Sequence, residues 1–277
     1  MDLRDPANFG RQIRLKAPQG GDAWAPGNFG LLSLPDGSGG AAAIEAQMAA
    51  VTPADCYDID VITATGVKTN KIRDAINARF DVPGNPWPYP APDVIDYPRD
   101  DNIVADADAK FGSGNWDLAG YWAAKHGGAV PPELAGATRY QVYLYELGEE
   151  FGRRGRETFY PVTEAMPDDF ITVTPAGPSV PVASDPADSN DNAEDGVPDQ
   201  PVASNGPQRR IVQVAQLNCI AENIHGKGTY PTEGNYVEVF LTESVKTPPD
   251  SAIYGEVVRA LSAANAPEFH ANVRLVR

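Results

Sequence analysis

RRIVQVAQLNCIA, residues Arg209–Ala221, is the strongest strand signal in the chain, with Ile211, Val212 and Val214 in a run free of glycine and proline. NYVEVFLTESV, Asn235–Val245, carries a second strand signal shortly after it, and the two can pair as neighbours. Upstream, RQIRLKA (Arg11–Ala17) alternates like a strand, and so does CYDIDVITATG (Cys56–Gly66). TRYQVYLYELGEEF (Thr138–Phe151) sets Tyr140, Val142 and Leu144 against Gln141, Tyr143 and Tyr145, which predicts a half-buried strand. IYGEVVRALSA (Ile253–Ala263) predicts a short helix, and FHANVRLVR a closing strand.

Helical spacing is clearest in AAAIEAQMAAV (Ala41–Val51), which Thr52 and Pro53 end. In TNKIRDAINARFD (Thr69–Asp81), Ile72, Ile76 and Phe80 recur at helical spacing, and GNWDLAGYWAAKHG (Gly114–Gly127) predicts an amphipathic helix. NPWPYPAPDV (Asn85–Val94) holds four prolines, which remove donors and fix φ, so an extended surface crossing is expected. The expected fold class is α+β: a loop-rich domain with a mixed or antiparallel sheet and a few short helices. Its sheet would take the Cys56, Tyr140, Ile211, Val237 and C-terminal strands.

Glycine and proline, 26 each in 277 residues, favour turns and short elements. The net charge is −16, and it is unevenly placed. Between Arg156 and Arg209 there is no lysine or arginine, while ten acids fall there. From about Thr163 to Gln208 large apolar groups are few, so this stretch is expected to be a flexible acidic loop. Residues 1–162 and 209–277 then form the two parts of one domain. An acidic surface of this kind repels phosphate backbones, which argues against nucleic-acid binding. No stretch is apolar enough to span a bilayer, and MDLRDPANFG does not read as a signal peptide.

Several residues invite a chemical reading. DGSGG (Asp36–Gly40) partly resembles a metal-adhesion motif of von Willebrand A domains, but Gly40 stands where the last hydroxyl belongs. A glycine-rich turn leading into a helix explains it better. SDPADSNDNAEDGVPDQ (Ser184–Gln200) offers Asp188, Asp191 and Asp195 as weak calcium ligands, since clustered carboxylates suit a hard cation. His126, His225 and His270 are scattered, so surface or capping roles are expected. Acid pairs such as Asp100/Asp101, Glu149/Glu150 and Asp168/Asp169 are expected by chance among 38 acids. Trp87, Tyr89 and the prolines beside them form either a docking strip or a strip packed on the protein's own surface. Cys56 and Cys219 are either two buried thiols or a bridge.

Taken in order, several blocks resemble the TadG-related proteins of the tight-adherence (Flp) pilus system. They are GRQIRLKAPQGGDAWAPGNFGLLSLP, ADCYDIDVITATGVKTNKIRDAINARFD, WPYPAPDV, TRYQVYLYEL, RRIVQVAQLNCI, VEVFLTESV, IYGEVV and the terminal NVRLVR. The resemblance covers nearly everything except Thr163–Gln208. It implies a non-enzymatic, extracytoplasmic scaffold tethered to the inner membrane through an upstream helix that this chain lacks. Its partners would be pilus-assembly or pilin proteins, with no cofactor. In that setting a Cys56–Cys219 disulfide is implied, contributing roughly 4–5 kcal/mol in the chain-entropy picture. The rival readings are a calcium-dependent adhesin or von Willebrand A-like binding module, and a secreted hydrolase using an unrecognised acid pair.

Overall fold

The computed structural model describes residues 2–15, 31–37, 40–51, 60–64, 69–106, 108–147, 198, 200–219, 221–224, 227–247 and 251–261. Its centre is a four-stranded antiparallel sheet in the order β1–β6–β5–β3, formed by β1 (Gln12–Leu15), β6 (Ile253–Leu261), β5 (Tyr236–Leu241) and β3 (Ile211–Ala215). β2 (Asp60–Ile62) and β4 (Thr229–Pro231) make a separate antiparallel pair. This mixture of antiparallel sheet and short helices is the α+β, loop-rich class expected from the sequence.

The strand expected from Cys56 onward, described over β2, lies in the separate pair and not in the main sheet, and two elements differ in type from their sequence reading. The Tyr140 segment is helix α5 (Arg139–Glu146), and it is no strand. Thr138 and Gln141 close a reciprocal capping box: the Thr138 hydroxyl accepts the Gln141 N–H at 3.3 Å, and Gln141 Oε1 accepts the Thr138 N–H at 2.7 Å. That satisfies two donors which an uncapped helix leaves open. Burial then takes every residue from Arg139 to Leu144, so the alternation has no exposed face to report. Thr138→Ala is expected to cost about 1 kcal/mol of folding free energy, read from the urea midpoint.

The second is β6, a strand where a helix was expected. It lies between β1 and β5, and all nine of its residues are buried. A strand covered on both faces loses the alternation that marks a half-exposed one. Gly255 shows how closely β5 approaches: a Cβ there would stand 2.4 Å from Val239 Cγ1 and 3.0 Å from the Phe240 carbonyl. The expected closing strand lies outside the described residues.

Helices cover the sheet. α4 (Leu118–Lys125) and α5 pack against Phe240 and Val258 through an aromatic cluster that includes Tyr97, Tyr121, Trp122, Tyr140 and Tyr143. α2 (Thr69–Asn77) brings Ile72 and Ile76, with Phe80 just beyond it, against Leu241, Val245 and Ile253. α1 (Ala41–Ala49) meets α2 across Ala49, Ala75 and Ala78, with Trp87 against that small-residue face. α3 (Asp101–Ala105) starts at Asp100, whose side chain accepts the Asn102 N–H. The outer edge of β1 is closed by 110–112: Arg14 N–H donates to Lys110 O at 2.8 Å and Gly112 N–H to Gln12 O at 2.7 Å.

Of the acidic stretch, residues 198 and 200–208 are described. Ala203 is buried and its N–H donates to Pro90 O at 2.9 Å, just before a 3-10 turn over Gly206–Arg210. The packed body therefore resumes ahead of Arg209.

Candidate functional site

The Pro-rich crossing 85–98 forms no helix or strand, as its prolines require, but it is no surface crossing: Pro90, Ala91, Asp93, Val94, Ile95 and Tyr97 are buried. Backbone acceptors buried in that state are costly unless a donor reaches them. Two consecutive arginines at the entry to β3 supply the donors. Arg209 donates from Nη2 to Ala49 O (2.7 Å), from Nη1 to Ala50 O (2.9 Å) and from Nε to Tyr89 O (2.9 Å). Arg210 donates from Nε and Nη2 to Leu241 O (3.0 and 2.7 Å) and from Nη1 to Ile95 O (2.8 Å) and Asp93 O (3.4 Å).

The Arg210 guanidinium is fully buried, 4.4 Å from the centre of the Phe80 ring and 4.7 Å from that of Phe240, with Tyr97 and Tyr143 at 5.3 and 5.2 Å. Such a cage stabilises a desolvated cation. Burial lowers Arg209 to about 10, and burial with the nearby Arg209 charge lowers Arg79 to about 9.

Behind Arg210 lies a buried acidic cluster. Glu146, at the end of α5, accepts hydrogen bonds from the Tyr97 and Tyr121 hydroxyls, the latter at 2.6 Å, and its Oε1 lies 2.9 Å from His126 Nε2. The His126 ring stacks on Trp122 with centroids 4.0 Å apart. Burial, and then the Glu146 charge, pushes both phenols up. Asp93 is raised to about 7, chiefly by burial and next by Glu146, and Asp96 to about 6 by burial. Asp93 Oδ1 accepts the Ile95 N–H at 2.8 Å, while its Oδ2 has no hydrogen-bond partner among the described residues. Asp96 accepts from Ser244 N and Oγ at 2.8 and 3.2 Å.

A second buried group joins α5 to the sheet. Glu256, from the central strand β6, accepts the N–H of Arg139 (2.9 Å) and Tyr140 (3.2 Å) at the start of α5, where a carboxylate complements the open donors of a helix end. It also accepts Arg139 Nη1 at 3.1 Å, and Arg139 Nε donates to Pro98 O at 2.8 Å. Arg139 Nη2 lies 3.9 Å from Asp100 Oδ2. Asp100 in turn accepts from Asn102 N, Ser113 N and Oγ, and Gly114 N, at 2.8–3.0 Å.

These buried groups pin loops and helix starts to the sheet, and most of them carried no sequence signal of their own. Arg209, Arg210, Arg139, Glu146 and Glu256 belong to no chemical motif in the sequence. The one available cue was their position, inside or directly beside the most apolar segments of the chain.

The residues singled out from sequence fall differently. His126 caps the end of α4, as a capping role required, but its ring is buried and is no surface group. Asp100 and Asp101 do not act as a pair: Asp100 is buried as a loop anchor and Asp101 is exposed. Trp87 and Tyr89 are divided too. Trp87 packs on the alanine face and points Nε1 at Glu45 Oε1 (3.4 Å), whereas Tyr89 is 48 % exposed with φ of 69°. Gly40 is the N-cap of α1, so a helix follows DGSGG as expected, while Ser38 and Gly39 lie outside the described residues. Cys219 is half-buried beyond β3, with Sγ 3.7 Å from Leu217 O, and burial raises its thiol. Cys56, the calcium candidates Asp188, Asp191 and Asp195, the pairs Glu149/Glu150 and Asp168/Asp169, and His225 and His270 lie outside the described residues. Among the described residues, no group of three acidic, histidine or cysteine side chains could hold a metal ion, and no helix is long and apolar enough to cross a membrane.

Comparison of the chain with protein families, with curated proteins and with solved structures returns no match.

Proposed function

We infer that the chain is a non-enzymatic, protein-binding component of Flp/Tad pilus assembly or secretion, working on the extracytoplasmic side of the cell envelope. The observation that carries this reading is the ordered set of sequence blocks, together with where the fold takes them. The RFD block supplies Arg79 and Phe80, WPYPAPDV supplies Tyr89 and Asp93, RRIVQ supplies the two arginines, and VEVFL supplies Leu241; all meet around Arg209 and Arg210. Blocks that converge on a structural clamp belong to one rigid body, which suits a scaffold. The large buried charges of that body are engaged by backbone groups and by one another, an arrangement that holds a shape.

Tyr89 is the part of this assembly that faces solvent. Arg209 fixes its carbonyl, and its left-handed backbone is a conformation that a bulky residue adopts only when held there. An exposed, fixed tyrosine is the type of side chain that anchors protein interfaces. Affinity capture with the whole chain is expected to retain a pilus-assembly or pilin component. Tyr89→Ala is expected to weaken that capture about tenfold, with an unchanged melting temperature. If no pilus-assembly component is captured, the reading fails. If capture is equal for the variant, Tyr89 is not the contact.

A further inference from the structure

We propose that the stretch Asp93–Tyr97 is a proton-operated strap, held against α4, α5 and the Arg210 clamp while Asp93 carries a proton and loosened when Asp93 ionises.

The geometry makes Asp93 a poor home for a charge. Its Oδ1 has one donor, the Ile95 N–H, and its Oδ2 has none among the described residues. The polar groups around it are already engaged. From the crossing itself Tyr97, and from α4 Tyr121, give their hydroxyl protons to Glu146. His126, at the end of α4, also faces Glu146. Arg210, at the entry to β3, gives its N–H groups to the carbonyls of Leu241, Ile95 and Asp93. With Asp93 neutral, its carboxyl adds no charge to a pocket in which Glu146 opposes and Arg210 favours ionisation. With Asp93 ionised, its Oδ2 carries buried charge with no donor among the described residues and the neighbouring Glu146 opposes it, which is strongly disfavoured.

Asp96 lies further along the same strap. Arg210 faces it, as does Glu243, which is itself paired with Arg99 at 2.8 Å. Asp96 differs in having two donors from Ser244, so its ionised form is better held.

The sign follows from linkage. Asp93 is raised from 3.8 to about 7 in the closed strap. A raised acid contributes closure that is complete below its free value and is lost as pH rises through the folded value. For a group that moves between those two values, the opening constant rises about tenfold between pH 6 and pH 8. Asp96, raised to about 6, adds roughly twofold over the same interval. This direction is opposite to ordinary acid unfolding.

Hydrogen exchange of the intact chain, corrected for the intrinsic pH dependence of amide exchange, tests this. Opening at residues 93–97 and in α4 is expected to increase at least tenfold from pH 6 to pH 8, relative to β5 and β6. Asp93→Asn is expected to keep the Ile95 bond and to reduce the rise to about the twofold that Asp96 supplies. An equal rise throughout the molecule, or a tenfold rise that survives in Asp93→Asn, would overturn the proposal. Should that variant not fold, infrared spectroscopy of the unaltered chain decides: a buried carboxylic-acid carbonyl band must disappear near pH 7, and its absence from pH 5 to pH 8 excludes a protonated Asp93.

Discussion

Replacing Arg210 with methionine is expected to cost about 4 kcal/mol of folding free energy, the largest loss for any single substitution in this fold. The volume is nearly kept, so the cost comes from chemistry rather than from a cavity. The Leu241 carbonyl loses two donors and the Ile95 carbonyl one, at a depth where water does not replace them. Asp93 and Asp96 lose the cation that offsets their burial. The ring faces of Phe80 and Phe240 are filled equally well by a thioether, so their packing does not rescue the variant. Arg210→Lys restores the charge but lacks the planar fork that reaches three carbonyls at once, and is expected to recover less than half of the loss. Urea unfolding at pH 6 measures both. A change below about 1 kcal/mol for Arg210→Met would mean that the carbonyls find other donors.

Glu256→Ala should rank second, at about 3 kcal/mol or more. One carboxylate in the central strand accepts two helix-start N–H groups and the Arg139 guanidinium. Without it Arg139 stays buried, with Asp100 the nearest carboxylate at 3.9 Å. The start of α5 would also lose its anion. The double variant Glu256→Ala with Arg139→Met removes the stranded charge, so it should cost less than Glu256→Ala alone. A double variant as unstable as the sum of the two single ones would show that the pair does not interact across α5 and β6.

The parts of the fold that were legible in the sequence are those whose environment is one-sided or whose composition leaves one choice. β1 alternates, β3 and β5 carry β-branched residues, α1 and α2 show helical repetition, and the prolines of 85–94 exclude any regular element. The two errors share a cause. In α5 the residues Tyr140–Tyr145 have high strand propensity and alternate, but the capping box at Thr138 and contact on nearly all sides override that preference. In β6, Ile253, Val257 and Leu261 recur every four residues as if on a helix face, because Glu256 and Arg259 stand between them. Those charges face Arg139 and Glu238 inside the protein and not solvent. A buried charge therefore misleads twice, imitating a surface and hiding a contact. The candidate site was hard to read for the same reason. Nothing local distinguishes Arg210 or Glu146 from a solvated residue until the partner 31 or 49 positions away is in place.

The proposed role as a scaffold for pilus assembly is tested most directly by loss of function. Deleting the coding sequence of this chain in a host that builds Flp pili is predicted to abolish surface pili, with recovery on re-expression of the intact chain. Normal piliation in the deletion strain, with its pilin expressed and exported as before, would contradict it.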